Sequence, residues 1–121
     1  MNTVILIKSK AENWDPISYF KQNGGDAIYE FNQYNLAIGD AWISVIEDDS
    51  VYFEFDDDEI GKVKSIIEKP VFYIIEWKGD EILENFMGHI PNGTTALVDD
   101  DHGSILTADA FLKKLKNREE N

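Results

Sequence analysis

Ala41-Trp42-Ile43-Ser44-Val45-Ile46-Glu47-Asp48-Asp49-Ser50-Val51-Tyr52-Phe53-Glu54-Phe55 contains two runs rich in β-branched and aromatic residues, 41–46 and 51–55. Such runs favour strands. The four polar residues between them are too few for a parallel crossover, which needs about a dozen. The segment therefore predicts an antiparallel hairpin with an acidic tip. A second hairpin is predicted further on, where residues 95–98 and 104–106 flank Asp99-Asp100-Asp101-His102-Gly103. A glycine and short polar residues suit the positive φ of a tight turn. Two such pairs argue against a doubly wound parallel sheet.

Residues 3–8 on the N-terminal side form an almost continuous apolar run, the pattern of a strand buried on both faces. Asp15-Pro16 signals a helix start, with Trp14 placed to staple it and Gly24-Gly25 to end it. Residues 27–31 alternate as a strand does, and 36–38 form a weaker strand candidate. On the C-terminal side, Ile60, Val63, Ile66 and Ile67 fall at helical spacing before Pro70. Residues 71–77 make the strongest strand of the chain. Asp80 is read as the cap of a helix with Ile82, Leu83, Phe86 and Met87 on one stripe and Gly88 just past its end. Thr107 is read as the cap of a last helix carrying Ala108, Phe111, Leu112 and Leu115. The expected order is βαβ(β)ββαβαββα, an α+β fold in which helices pack on a mostly antiparallel sheet. With no repeat, low-complexity tract or linker, one domain over residues 1–121 is expected.

The 121 residues carry 11 basic and 24 acidic side chains, a formal net charge of −13 and a pI near 4.3. At 43% apolar and 12% aromatic the chain can build a core in spite of that charge. Strong acidity disfavours nucleic acid and anionic membranes, whose binding relies on Lys and Arg. The absence of cysteine removes disulfides, thiol nucleophiles and Cys-ligated metals. The longest apolar run, residues 71–75, is too short to span a bilayer, and 4–7 is too short for a signal peptide. A cytoplasmic protein is the expectation.

Chemical motifs are few. Asp56-Asp57-Asp58-Glu59 tested as a calcium loop puts Ile60 at position 5 and Ile67 at position 12, where oxygen ligands are required, so the pattern fails. Asp56 and Glu59 have capping-box spacing, and first-turn acids oppose the helix dipole. Capping uses one or two acids, yet Glu47, Asp48, Asp49, Glu54, Asp56, Asp57, Asp58 and Glu59 make eight with no intervening base. They form either a solvated face or an interaction surface. Asp99, Asp100 and Asp101 beside His102 suit a turn and, after 47–59, form a second candidate contact patch for a basic partner, or alternatively a Mg²⁺ or Mn²⁺ site of a hydrolase or nucleotide-acting enzyme. His89 reads as a helix-end residue. There is no nucleophile elbow, P-loop or dinucleotide fingerprint. Among the aromatics Tyr52 is the chosen interface candidate, with Tyr29 and Tyr34 behind it.

Four of the bases, Lys113, Lys114, Lys116 and Arg118, lie in the last helix, where they complement the negative end of its dipole. Without residues 113–121 the remainder holds 7 bases and 22 acids, a net charge of −15. Solubility needs a magnitude of only about 2–8. The surplus suits a basic macromolecular partner, which it would steer and accelerate.

The acidic hairpins, and Leu97-Val98-Asp99-Asp100-Asp101-His102-Gly103 before a terminal helix, carry a resemblance. In size, charge and hairpin-and-helix build the chain resembles the small, acidic, cysteine-free immunity proteins of bacterial toxin systems, including those of contact-dependent growth inhibition. The resemblance implies an inhibitor that is not an enzyme, needs no cofactor, and masks the active site of a cognate basic toxin domain, commonly a nuclease. It assigns no individual residue. An acidic regulatory or accessory domain is the further alternative.

Overall fold

Two strands more than sixty residues apart in sequence form the centre of the molecule. They are β1 (Asn2–Ser9) and β5 (Pro70–Lys78), paired antiparallel from Asn2 opposite Trp77 to Ser9 opposite Pro70. The fold comes from a computed structural model that describes residues 2–28, 32–91, 93–100 and 105–120, with the side chains of 118–120 outside it. Around the central pair stand β2 (Asp26–Ile28), β3 (Gln33–Ile38), β4 (Ala41–Glu47), β6 (Ala96–Asp99) and β7 (Ile105–Thr107). The sheet has seven strands in the order β2-β3-β4-β5-β1-β6-β7, and every pairing is antiparallel. The α+β expectation is met.

Side chains alternate across a strand, so the continuous apolar runs of β1 and β5 feed two cores at once. Val4 and Leu6, with Tyr73, Ile75 and Trp77, face one side. Helices α1 (Ile17–Gln22), α3 (Asp80–Gly88) and α4 (Ala108–Glu120) cover them with Tyr19, Phe20, Leu83, Phe86, Phe111 and Leu115. Ile7, Phe72 and Leu97 face the other side, under Val51 from a short 3-10 helix and Val63 and Ile67 from α2 (Asp57–Ile66) and its end. Three layers result: helices, sheet, helices.

Start and stop signals hold in most places. The Asp15 carboxylate accepts from Ile17 N–H at 3.0 Å, and the Thr107 hydroxyl accepts from Ala110 N–H at 3.1 Å. At α2 both halves of the capping box form, Glu59 N–H to Asp56 at 2.8 Å and Asp56 N–H to Glu59 at 3.2 Å. Asp80 differs from expectation. Gly79, at φ +94°, occupies the cap position, and the Asp80 carboxylate instead accepts the Trp77 indole N–H at 3.2 Å. Ile66 also departs from the expected stripe and stays about half exposed.

The larger correction concerns residues 47–55. Residues 51–55 form no strand; Asp49–Glu54 is the 3-10 helix, capped by the Asp48 side chain on Ser50 N–H at 2.9 Å. The true partner of β4 is β3, the weaker candidate, joined through Gly39-Asp40 with Ile38 opposite Ala41. Gly39, at φ +61°, supplies the positive dihedral that a two-residue hairpin loop needs. Residues 51–55 carry strand-forming residue types, but the edge position they would need beside β4 is taken by β3. Val51 and Phe55 therefore bury against Phe72 from a helical turn. The second predicted hairpin forms, with Val98 opposite Leu106. Among the described residues no helix is long and apolar enough to cross a membrane.

Breaking the sheet–helix contact costs more than breaking a cap. Phe86→Ala, which empties a fully buried site, is expected to lower unfolding free energy by about 3–5 kcal/mol. Asp56→Ala, which removes the capping box, is expected to cost about 1 kcal/mol. Urea titrations of both variants against the parent check the ordering.

Candidate functional site: an acidic helical turn with an exposed aromatic

The eight acids of 47–59 have different environments. Glu47 ends β4, half-buried and opposite Tyr73. Asp48 is held by Ser50, whose hydroxyl donates to it at 2.6 Å. Asp56 and Glu59 are engaged in the capping box. Asp49, Glu54, Asp57 and Asp58 are exposed, and among the described residues no basic side chain is ion-paired with any of the eight. First-turn acids at α2 are stabilised by the helix dipole, which accounts for Asp57 and Asp58 locally but does not neutralise them.

Phe53 belongs to the same stretch of chain as these exposed carboxylates, between Asp49 and Asp57. It is 83% exposed, the most exposed of the large hydrophobic side chains among the described residues. The 3-10 turn explains its position. Val51 and Phe55 take the core-facing side, and Phe53 between them projects to solvent, its ring edge-on to Tyr52 at 5.5 Å. Tyr52, the residue chosen from sequence, is half-buried. Its ring packs edge-on against Phe72 at 6.1 Å, and Lys64 lies over it at 5.1 Å from the ring centre. Sequence reasoning missed Phe53 because it assumed a strand. Helical spacing of Val51 and Phe55 was the signal that would have turned Phe53 outward.

The second acidic run is divided between the interior and the undescribed loop. Asp99 and Asp100 are only 9% and 8% exposed, so they belong to the fold's interior rather than to an open surface. Asp99 lies in register between Ile5 of β1 and Ile105 of β7. Asp100 forms an ion pair with Lys114 of α4 at 3.2 Å, its side chain 6% exposed against 56% for the lysine. Apolar β6 neighbours drag these carboxylates inside, and Lys114 compensates one of them. Part of the basic helix thus serves the fold. Asp101 and His102 of the alternative metal site lie outside the described residues, as does Tyr29. Among the described residues no group of three acids or histidines comes together as a metal would require.

Of the other singled-out residues, Tyr34 packs beside the core on β3. His89 ends α3, 2.8 Å from the Gln22 side chain and edge-on to Tyr19. Burial raises the Tyr19 pKa. The Tyr73 pKa is raised further, first by burial and then by the negative charge of Glu47, Asp15 and Asp49. Both phenols are therefore held in the neutral form.

Asp100→Ala removes a buried carboxylate and leaves Lys114, more than half exposed, free to solvate, and is expected to cost about 1–2 kcal/mol. Asp57→Ala and Asp58→Ala are expected to cost about 0.5 kcal/mol or less each, as exposed positions do. Chemical denaturation of the three variants separates the structural acids from the available ones. Alkali gives a second test. Unfolded tyrosine ionises near pH 10 while folded Tyr73 keeps its proton, so the unfolded state binds fewer protons and stability falls as pH rises beyond that point. Tyr73→Phe is expected to flatten the loss that sets in above about pH 10, with Tyr19 leaving a residual slope; melting temperatures followed from neutral pH into that range check it.

Compared with known proteins, the chain matches no protein-family model, no curated protein and no solved structure.

Proposed function

We propose that this chain is an immunity-type inhibitor that binds a basic toxin domain, of nuclease type, and masks its positively charged active site. The observation that carries the reading is the exposure of Phe53 in the same stretch of chain as the exposed acids Asp49, Glu54, Asp57 and Asp58. Aromatic side chains that enter a pocket are the usual energetic centre of an interface, and a charged surround steers encounter and fixes orientation. Carboxylates on such a surface take the positions that phosphates occupy in a nuclease cleft, meeting Arg and Lys through charge-assisted hydrogen bonds. Asp48, Asp56 and Glu59 cap the helical turns of this stretch. A net charge of −13 adds a long-range field of the same sign.

The test is co-expression with the toxin-bearing reading frame next to this gene, followed by binding kinetics on the purified pair. Rescue of growth and a 1:1 complex are expected. Phe53→Ala should weaken affinity by about 10-fold or more through dissociation. Reversing Asp57 and Asp58 to lysine should slow association, and raising salt should do the same. A tight complex indifferent to Phe53, to the charge reversals and to salt would overturn the assignment of this surface. Failure to rescue from any neighbouring toxin would overturn the function.

A further inference from the structure

A groove of about 410 Å³ opens at one end of the sheet, between the strands and the segment leading into α1. Strand register builds its floor. Tyr73 lies opposite Glu47 on β4 and opposite Leu6 on β1, and Lys8 lies opposite Val71, two residues from Tyr73. With a side-chain period of two, Lys8, Tyr73 and Glu47 project from the same face of three neighbouring strands. Lys10, Trp14 and Asp15 line the same groove from the following segment.

Its polar groups are poorly satisfied from within the protein. Lys8 is only 6% exposed, yet its ammonium, with three donors, has one contact, 3.5 Å to the Glu12 carbonyl at the limit of a hydrogen bond. The Trp14 indole N–H is buried with no acceptor. Among the described residues the Glu84 Oε1 is the other buried side-chain polar atom without a partner, and unmet buried donors such as the Trp14 indole oppose folding. Three carboxylates line the same groove, those of Glu12, Asp15 and Glu47, and that of Asp15 also accepts the Ile17 N–H.

We propose that this groove binds a small zwitterion of the free amino acid class, its carboxylate received by Lys8 and Lys10 and its ammonium by Glu47 and Asp15. A simple anion would meet Glu47 and Asp15, and a simple cation would meet Lys8 and Lys10. One ligand carrying both charges satisfies both sets. The hydroxyl of Tyr73, kept protonated by its surroundings, adds a neutral hydrogen-bonding group between them. The volume is that of a small-molecule site, within the ordinary range of about 300–1,000 Å³. Phe53 does not line this groove, and the proposal does not depend on the proposed toxin partner.

The experiment is a titration of the full chain, ¹⁵N-labelled, with each of the common free amino acids, and with sodium acetate and methylammonium chloride as the two halves. At least one amino acid is expected to give saturable shifts at the amides of residues 8–15, 47 and 71–73, with Kd about 1 mM or tighter. Each half alone should bind about 10-fold or more weakly. Lys8→Met and Glu47→Gln should each weaken the best amino acid by about 10-fold or more. Glu47 is half-buried at a strand end, so the glutamine variant keeps the test available should Lys8→Met fail to fold. Absence of saturable shifts with every amino acid would overturn the proposal. Acetate or methylammonium binding as tightly as the best amino acid would also overturn it, as would binding unchanged in Glu47→Gln.

Discussion

The ladder between β1 and β5 is the constraint on which the other elements depend. Eight residue pairs run along it, and both strands are apolar on successive positions, so neither can present a polar face to water. Such a pair must be covered on two sides. Helices α1, α3 and α4 cover one face through Phe20, Leu83, Phe86 and Phe111, and α2 with the 3-10 turn covers the other through Val51, Val63 and Ile67. The flanking strands then extend a sheet whose centre is already dry. The pair joins residues 2–9 to 70–77, so loop closure must precede its reward, and folding is governed by a non-local contact.

Against that core the acidity divides by location. Asp15, Asp48, Asp56 and Glu59 satisfy backbone donors at turns and helix starts. Asp99 and Asp100 are carried inside by the apolar strand they follow, and Lys114 compensates Asp100. Asp49, Glu54, Asp57 and Asp58 remain outward without an ion-pair partner among the described residues, in the same stretch of chain as the exposed Phe53. Exposed carboxylates and an exposed aromatic place opposing demands on solvation. Their conjunction is more informative than the bulk charge, because solubility would favour the acids and disfavour the ring.

Local chemistry made much of the fold legible. The double-sided strands, the capping box at Asp56 and Glu59, the Thr107 cap and the 96–107 hairpin all follow from residues that act on their near neighbours. Residues 51–55 were misleading because β-branched and aromatic side chains suit either a strand or a buried turn. Gly39-Asp40, a two-residue hairpin signal, pointed to β3 as the partner of β4. Asp80 shows the same limit on a smaller scale. Its position suggested a cap, but Trp77 lies within reach and competes for the carboxylate.

Sequence alone determined the α+β class, the two-sided burial of β1 and β5, the main helix boundaries and the excess of negative charge, since composition, periodicity and capping act over a few residues. Tertiary structure decided which strand pairs with β4, that Phe53 rather than Tyr52 faces solvent, and that Asp99 and Asp100 are interior. It also brought Lys8, Tyr73 and Glu47 onto one face. Those outcomes depend on register between distant segments, where a shift of one residue turns every side chain to the opposite face.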